Sequence, residues 1–113
     1  MDLDRVRWHL TQAKKNARAA IDGRARLGKD WADDPVTLAG LTKLVEVVAE
    51  YMDNIPLEIQ AKHPNVPWKA MAGMRNVSSH EYHRIDPETI ENTISVDLPE
   101  LITQIDQMLV VIQ

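Results

Sequence analysis

Apolar residues recur along most of this chain at alternating steps of three and four, and that spacing admits one kind of secondary structure. Leu3, Val6, Leu10, Ala13, Ala17 and Ala20, with Ile21 beside the last, form the first series. On a helix turning about 100° per residue they share one stripe, whereas a strand would show strict alternation. The series predicts a helix over 3–26, with Gly28-Lys29-Asp30 as its stop. Asp33-Asp34-Pro35 reads as a cap with proline in the first helical turn, where a missing N–H is harmless. Behind it Leu38, Leu41, Leu44, Val45, Val48, Met52 and Ile55 predict a second helix to about 54, ended or bent at Pro56.

Pro64-Asn65-Val66-Pro67 is rich in turn formers, and Pro67 can open a third helix through Trp68, Met71, Met74 and Val77. Asp86-Pro87 repeats the Asp-Pro cap and starts a last series: Ile90, Ile94, Leu98, Leu101, Ile105, Met108 and Ile112. Pro99 lies inside that series and should kink or divide the helix near Asp97, because proline removes a helical hydrogen bond. The expected fold is all-α, an up-and-down bundle of four to five helices formed by residues 1–113 as a single domain.

Composition narrows the function classes. The 113 residues include no cysteine, which leaves no disulfide framework, thiol nucleophile or iron–sulfur cluster and makes packing the only support of a small core. Met1-Asp2-Leu3-Asp4-Arg5 lacks the basic-then-apolar order of a secretion signal, and no apolar run approaches the ~20 residues of a membrane span. A cytoplasmic protein with no membrane association is expected. The net charge of −4 is unevenly spread: residues 1–27 sum to +4 and residues 85–113 to −6. Lys14, Lys15 and Arg18, on the basic first helix, are plausible contacts for RNA phosphates.

The densest polar cluster is Arg75-Asn76-Val77-Ser78-Ser79-His80-Glu81-Tyr82-His83-Arg84. Metal-independent RNA cleavage, in which the 2′-hydroxyl attacks the adjacent phosphorus, needs a group titrating near neutrality and a cation for the charge growing on phosphorus. Histidine and arginine supply these. Arg75 and His80 are about 140° apart on a regular helix, so they converge only if the helix ends nearby or two copies of the chain pool their residues. Asn76 could orient the imidazole or donate to the substrate. A structural reading stays open beside this one: Arg75 paired with a carboxylate such as Glu81, and His80 satisfied at a helix end. His80 and His83 have too few partners to argue for a metal, and no phosphate-cradling glycine loop is present. No cofactor is expected.

The run Val66-Pro67-Trp68-Lys69-Ala70-Met71-Ala72-Gly73-Met74-Arg75-Asn76, followed by His80-Glu81-Tyr82, resembles the signature of HEPN-domain proteins of the HepT-like toxin group. Ile85-Asp86 and Asp97-Leu98-Pro99-Glu100-Leu101 extend the likeness, and Val45-Glu46-Val47-Val48-Ala49-Glu50 is similar to the family's second helix, with alanine in place of a usual glycine. Ser79 departs from a commonly aliphatic position, and Asp34-Pro35-Val36-Thr37 replaces a usual Arg-Asp opening. The resemblance implies a HEPN-like bundle that forms a homodimer and gathers Arg and His from both subunits into one cleft. It further implies a metal-independent endoribonuclease, the toxin of a toxin–antitoxin pair acting on tRNA or mRNA. Its implied partner is a cognate minimal nucleotidyltransferase antitoxin that transfers AMP to the motif tyrosine. On this sequence Arg75 would hold the scissile phosphate, His80 would move the proton, Asn76 would support them and Tyr82 would accept AMP. A competing reading is a non-catalytic subunit that binds nucleotide or substrate for such a nucleotidyltransferase.

Overall fold

The computed structural model describes residues 1–73 and 86–112, and every regular element among them is helical. Helix α1 spans Leu3–Ala25 and α2 spans Pro35–Asp53. The short α3 covers Leu57–Lys62, α4 comprises the helical residues 68–73, and α5 covers Pro87–Asn92. A π-helical turn, Thr93–Asp97, joins α5 to α6, Leu98–Ile112. The expected all-α bundle is what these elements form.

The two Asp-Pro caps are the same device used twice. In Asp34-Pro35-Val36-Thr37 the Asp34 carboxylate accepts from the Val36 N–H at 3.2 Å and the Thr37 hydroxyl at 2.7 Å. In Asp86-Pro87-Glu88-Thr89 the Asp86 carboxylate accepts from the Glu88 N–H at 3.0 Å and the Thr89 hydroxyl at 3.1 Å. Each acid satisfies N–H groups that the first helical turn leaves without partners. The Thr37 hydroxyl, and after it the Val36 N–H, hold the Asp34 carboxyl below its ordinary pKa.

Antiparallel packing follows from paired contacts along α1. Leu41 of α2 lies over Gly23, and Tyr51 lies against Trp8 and His9, so α2 runs down α1. Glu91 meets Arg24, Asp106 meets Lys14, and the Ile112 carbonyl accepts from Arg7, so α5 and α6 run down α1 as well. The buried stripe of α1 faces both partners: Val6, Leu10, Ala13, Ala17 and Ala20 are out of solvent. Leu3 is not, with 43% of its surface exposed. It sits one turn below Arg7, the level at which α6 reaches Ile112, so nothing from α6 covers it. Met52, Val48, Ile94, Ile105 and Met108 fill the centre.

The division of the last helix falls where Pro99 predicts. Proline has no N–H for the carbonyl four residues back, and its ring crowds that carbonyl. The chain answers with a wider turn, in which the Leu98 N–H reaches the Thr93 carbonyl five residues away. Two elements escape the periodicity reading. Helix α3 buries a single side chain, Ile59, and so carries no stripe. The one-turn helix Trp31–Asp33 exists to seat Trp31, which is 8% exposed and lies under the Arg24 guanidinium at 5.3 Å.

Arg24 grips Glu91 through two bonds of 2.6 and 2.7 Å. That hydrogen bonding, aided by the opposite charge, holds the Glu91 carboxyl below its ordinary pKa against the opposing effect of burial. A depressed folded-state pKa contributes stability above the unfolded value of about 4.3, and the contribution is lost as pH falls through the folded value. The pair is partly solvated, so Glu91→Gln should cost about 0.5–1 kcal/mol at pH 7. In thermal denaturation the gap between the variant and the wild type should close as pH is lowered through the carboxylate range; a gap of constant size from neutral to acidic pH would refute this assignment.

Candidate functional site

Arg75, Asn76, His80 and Tyr82 lie outside the described residues, as do Glu81 and His83. The chain on both sides of them is fixed. Upstream, residues 63–67 form a tight turn in which the Val66 N–H bonds to the His63 carbonyl at 3.2 Å and the Trp68 N–H to the Val66 carbonyl at 2.9 Å. The Trp68 indole Nε1–H donates to the same His63 carbonyl at 2.9 Å, and the Gln104 side-chain amide donates to the Asn65 carbonyl at 3.0 Å. Val66 is buried, and the Pro67 carbonyl takes the first helical bond of α4 from Met71 at 3.1 Å. The Val-Pro-Trp part of the motif is therefore structural. It seats the start of α4 against α6.

Met71 is buried and shares a cavity of about 150 Å³ with Val48 and Ala49 of α2, Thr93 and Asp97 of the π turn, and Leu101 of α6. Here α4 meets the α2 and α6 faces at once. Downstream, the Asp86 cap and the Arg24–Glu91 pair hold the other flank. Among the described residues no group of His, Asp and Glu side chains converges to hold a metal ion. No helix among them is long and apolar enough to cross a membrane.

The basic residues of α1 differ in what they can offer. Lys14 bonds to the Asp106 carboxylate at 2.7 Å, so its charge is largely answered within the fold. Lys15 and Arg18 are exposed and form no ion pair among the described residues. A separate cluster, not anticipated from sequence, joins α1 to α2. The Trp8 ring packs edge-to-face against His9 at 5.0 Å and Tyr51 at 5.6 Å between centroids. His9 is buried, and its Nδ1 lies 2.9 Å from the Arg5 carbonyl. A carbonyl can only accept, so Nδ1 carries a proton and donates it to the Arg5 carbonyl. The available signal was an aromatic residue standing off the apolar stripe, between Arg7 and His9 and one turn from Arg5 and Thr11.

Comparison with known proteins places the chain in a family. The family described as Ribonuclease HepT-like matches residues 11–108, a span that includes the whole Arg75–Tyr82 motif. A protein of Caldanaerobacter subterraneus subsp. tengcongensis, named as a candidate RNase, is 37% identical over 81 residues, 72% of each chain. One from Thermococcus cleftensis, named as a candidate ribonuclease HepT, is 32% identical over 73 residues, 65% of this chain and 66% of its own. One from Methanocaldococcus jannaschii, also named as a candidate RNase, is 30% identical over 105 residues, 92% of this chain and 87% of its own. No solved structure matches the chain. With the fold, the capped flanks and the match across the motif taken together, this chain belongs to the HepT-like ribonuclease family.

Proposed function

We propose that this protein is a metal-independent endoribonuclease, a toxin whose active cleft forms between two copies of the chain. The observation that carries the reading is the family match across residues 11–108, within which the sequence keeps Arg75, Asn76, His80 and Tyr82 in the motif spacing. The chemistry asks little of the protein beyond placement. The 2′-oxygen attacks phosphorus as its proton is removed, the 5′-oxygen leaves as a proton is supplied, and negative charge builds on the non-bridging oxygens. Arg75 binds those oxygens, where a planar guanidinium can donate in pairs. His80 moves the proton, since imidazole titrates near neutral pH. Asn76 positions them. Two subunits give the cleft two of each residue, so a register that separates Arg75 from His80 on one helix is no obstacle.

The described frame supports this reading. The Pro-Trp turn is tied to α6 through Gln104, and the Asp86 cap opens α5, which Glu91 ties to Arg24 of α1, so the described chain is held on both flanks of the motif. Positioning of that kind is where much of a catalyst's advantage over solution arises.

The test is cleavage of tRNA and total cellular RNA in the presence of EDTA. Wild type should cut, and His80→Ala should lose activity by about 100-fold or more, the usual contribution of a proton-transfer group. Equal cutting by both proteins would sink the ribonuclease assignment. A protein that never cuts yet forms a stable complex with a small nucleotidyltransferase would instead be a binding subunit.

Regulation is proposed to act through Tyr82. Co-expression with a cognate minimal nucleotidyltransferase should add the mass of one or more AMP groups to this chain, measured on the intact protein. Tyr82→Phe should abolish the gain, because phenylalanine offers no hydroxyl to attack the nucleotide phosphorus. An unchanged mass gain in Tyr82→Phe would place the acceptor elsewhere.

A further inference from the structure

We propose that Trp8, with the hollow between α1 and α2 that its neighbours His9 and Tyr51 line, binds an unpaired RNA base outside the catalytic motif. The inference rests on the ribonuclease reading for its biological sense, but its chemistry is read from residues the structure describes. Trp8 is 52% exposed although it is the largest kind of apolar side chain. It is not loose: His9 and Tyr51 brace it with ring contacts set at 87° and 80°. A braced, half-exposed indole is a surface on which any base can stack, since every base has a π face.

What surrounds it suits nucleic acid better than an apolar protein surface. Asp4, Arg5, Gln12 and Lys15 fall within about 60° of Trp8 around α1; the Asp4 carboxylate is answered by Arg7 at 2.7 Å, and neither Arg5 nor Lys15 forms an ion pair among the described residues. His9 and Tyr51, the two rings that brace Trp8, also line a hollow of about 340 Å³ together with Lys43, Val47, Glu50 and Asn54. Val47 is its single aliphatic side chain. Lys43 is paired with Glu46 at 3.5 Å and the Asn54 amide donates to the Glu50 carbonyl at 2.9 Å. That leaves the Glu50 carboxylate, the Tyr51 phenol and the remaining amide and ammonium capacity to meet the donors and acceptors of a base edge. Cations for the backbone, an aromatic for the base and polar groups for its edge are the three components of a single-strand site. A protein partner docking on Trp8 would want an apolar surround instead.

The probe is a fluorescein-labelled single-stranded dodecamer carrying 2′-O-methyl groups throughout, so that no 2′-hydroxyl can attack and binding is read apart from cleavage. A second dodecamer has the same backbone without bases. By fluorescence anisotropy, Trp8→Ala should weaken binding of the first by about tenfold and leave binding of the second unchanged. Trp8→Phe, which keeps a stacking face and the fold, should recover most of the loss. Lys15→Gln should weaken both probes and lower the salt dependence by about one charge. Equal affinity of wild type and Trp8→Ala for the first probe overturns the proposal. So does an equal loss on both probes, which would mean that the backbone or the fold is affected rather than base stacking. A change in the sedimentation of Trp8→Ala alone, with RNA affinity intact, overturns it too and makes Trp8 a contact between protein chains. Absence of cleavage in EDTA would remove the ribonuclease reading and leave these binding outcomes as they stand.

Discussion

The alanine stripe of α1 is the constraint from which the rest of the bundle takes its shape. Ala13, Ala17 and Ala20 are fully buried, so α1 presents a surface of methyl groups to α2 on one side and to α6 on the other. Axis separations between packed helices depend on the side chains at the contact, and small ones let the axes come close. Close axes in turn require long, adaptable side chains opposite. The chain meets this with Met52, Ile105 and Met108, each without measurable exposure, in a sequence that contains no phenylalanine. Enlarging any of the three alanines would overpack a core in which each is fully buried, and overpacking typically costs about 1–3 kcal/mol.

That arrangement makes the register of the last helix matter, and Pro99 is what sets it. A continuous α-helix from Pro87 to Ile112 would carry a proline in its interior and clash with the carbonyl of Ser95. The π turn absorbs the conflict by inserting an extra residue between Thr93 and Leu98. Ile90, Ile94, Leu98, Leu101 and Ile105 follow the three-and-four spacing of one helical stripe, and all five stay buried across the turn. The same turn places Thr93 and Asp97 at the cavity shared with Met71, so the proline that divides the helix also shapes the ground on which α4 rests.

Much of this was legible in the residues, and the part that was not has identifiable causes. The three-and-four spacing located α1, α2 and α6 to within a residue or two, because each buries a stripe several turns long. Both Asp-Pro caps were readable, since their chemistry is local: acid, proline, and a hydroxyl three positions after the acid. Helix α3 was invisible because one buried isoleucine makes no period. Trp31 was passed over because its burial depends on Arg24 and on a turn that no pattern announces. Pro67 and Trp68 were read as a helix start and part of a family signature. The structure adds why they are there: the indole closes the turn on the His63 carbonyl. The candidate site residues between Met74 and Ile85 rest on chemistry and resemblance alone, and they lie outside the described residues.

The charge pattern shows how far a sum along the sequence can mislead. A +4 first segment and a −6 last segment suggest two opposed faces. In the fold these segments lie side by side and spend part of their charge on each other: Arg24 on Glu91 and Lys14 on Asp106, at 2.6 and 2.7 Å. Arg7 is answered within its own helix by Asp4. Once those pairs are removed, the cations of α1 that remain for a solution partner are fewer and more localised: Arg5 beside Trp8, then Lys15 and Arg18 further along. An exposed cation attracts a polyanion over about 8–10 Å at physiological salt, whereas a paired one adds little beyond its own carboxylate. The attraction that α1 can exert on a polyanion is therefore set by which of its basic residues are left unclaimed by Asp4 of its own helix, Glu91 of α5 and Asp106 of α6.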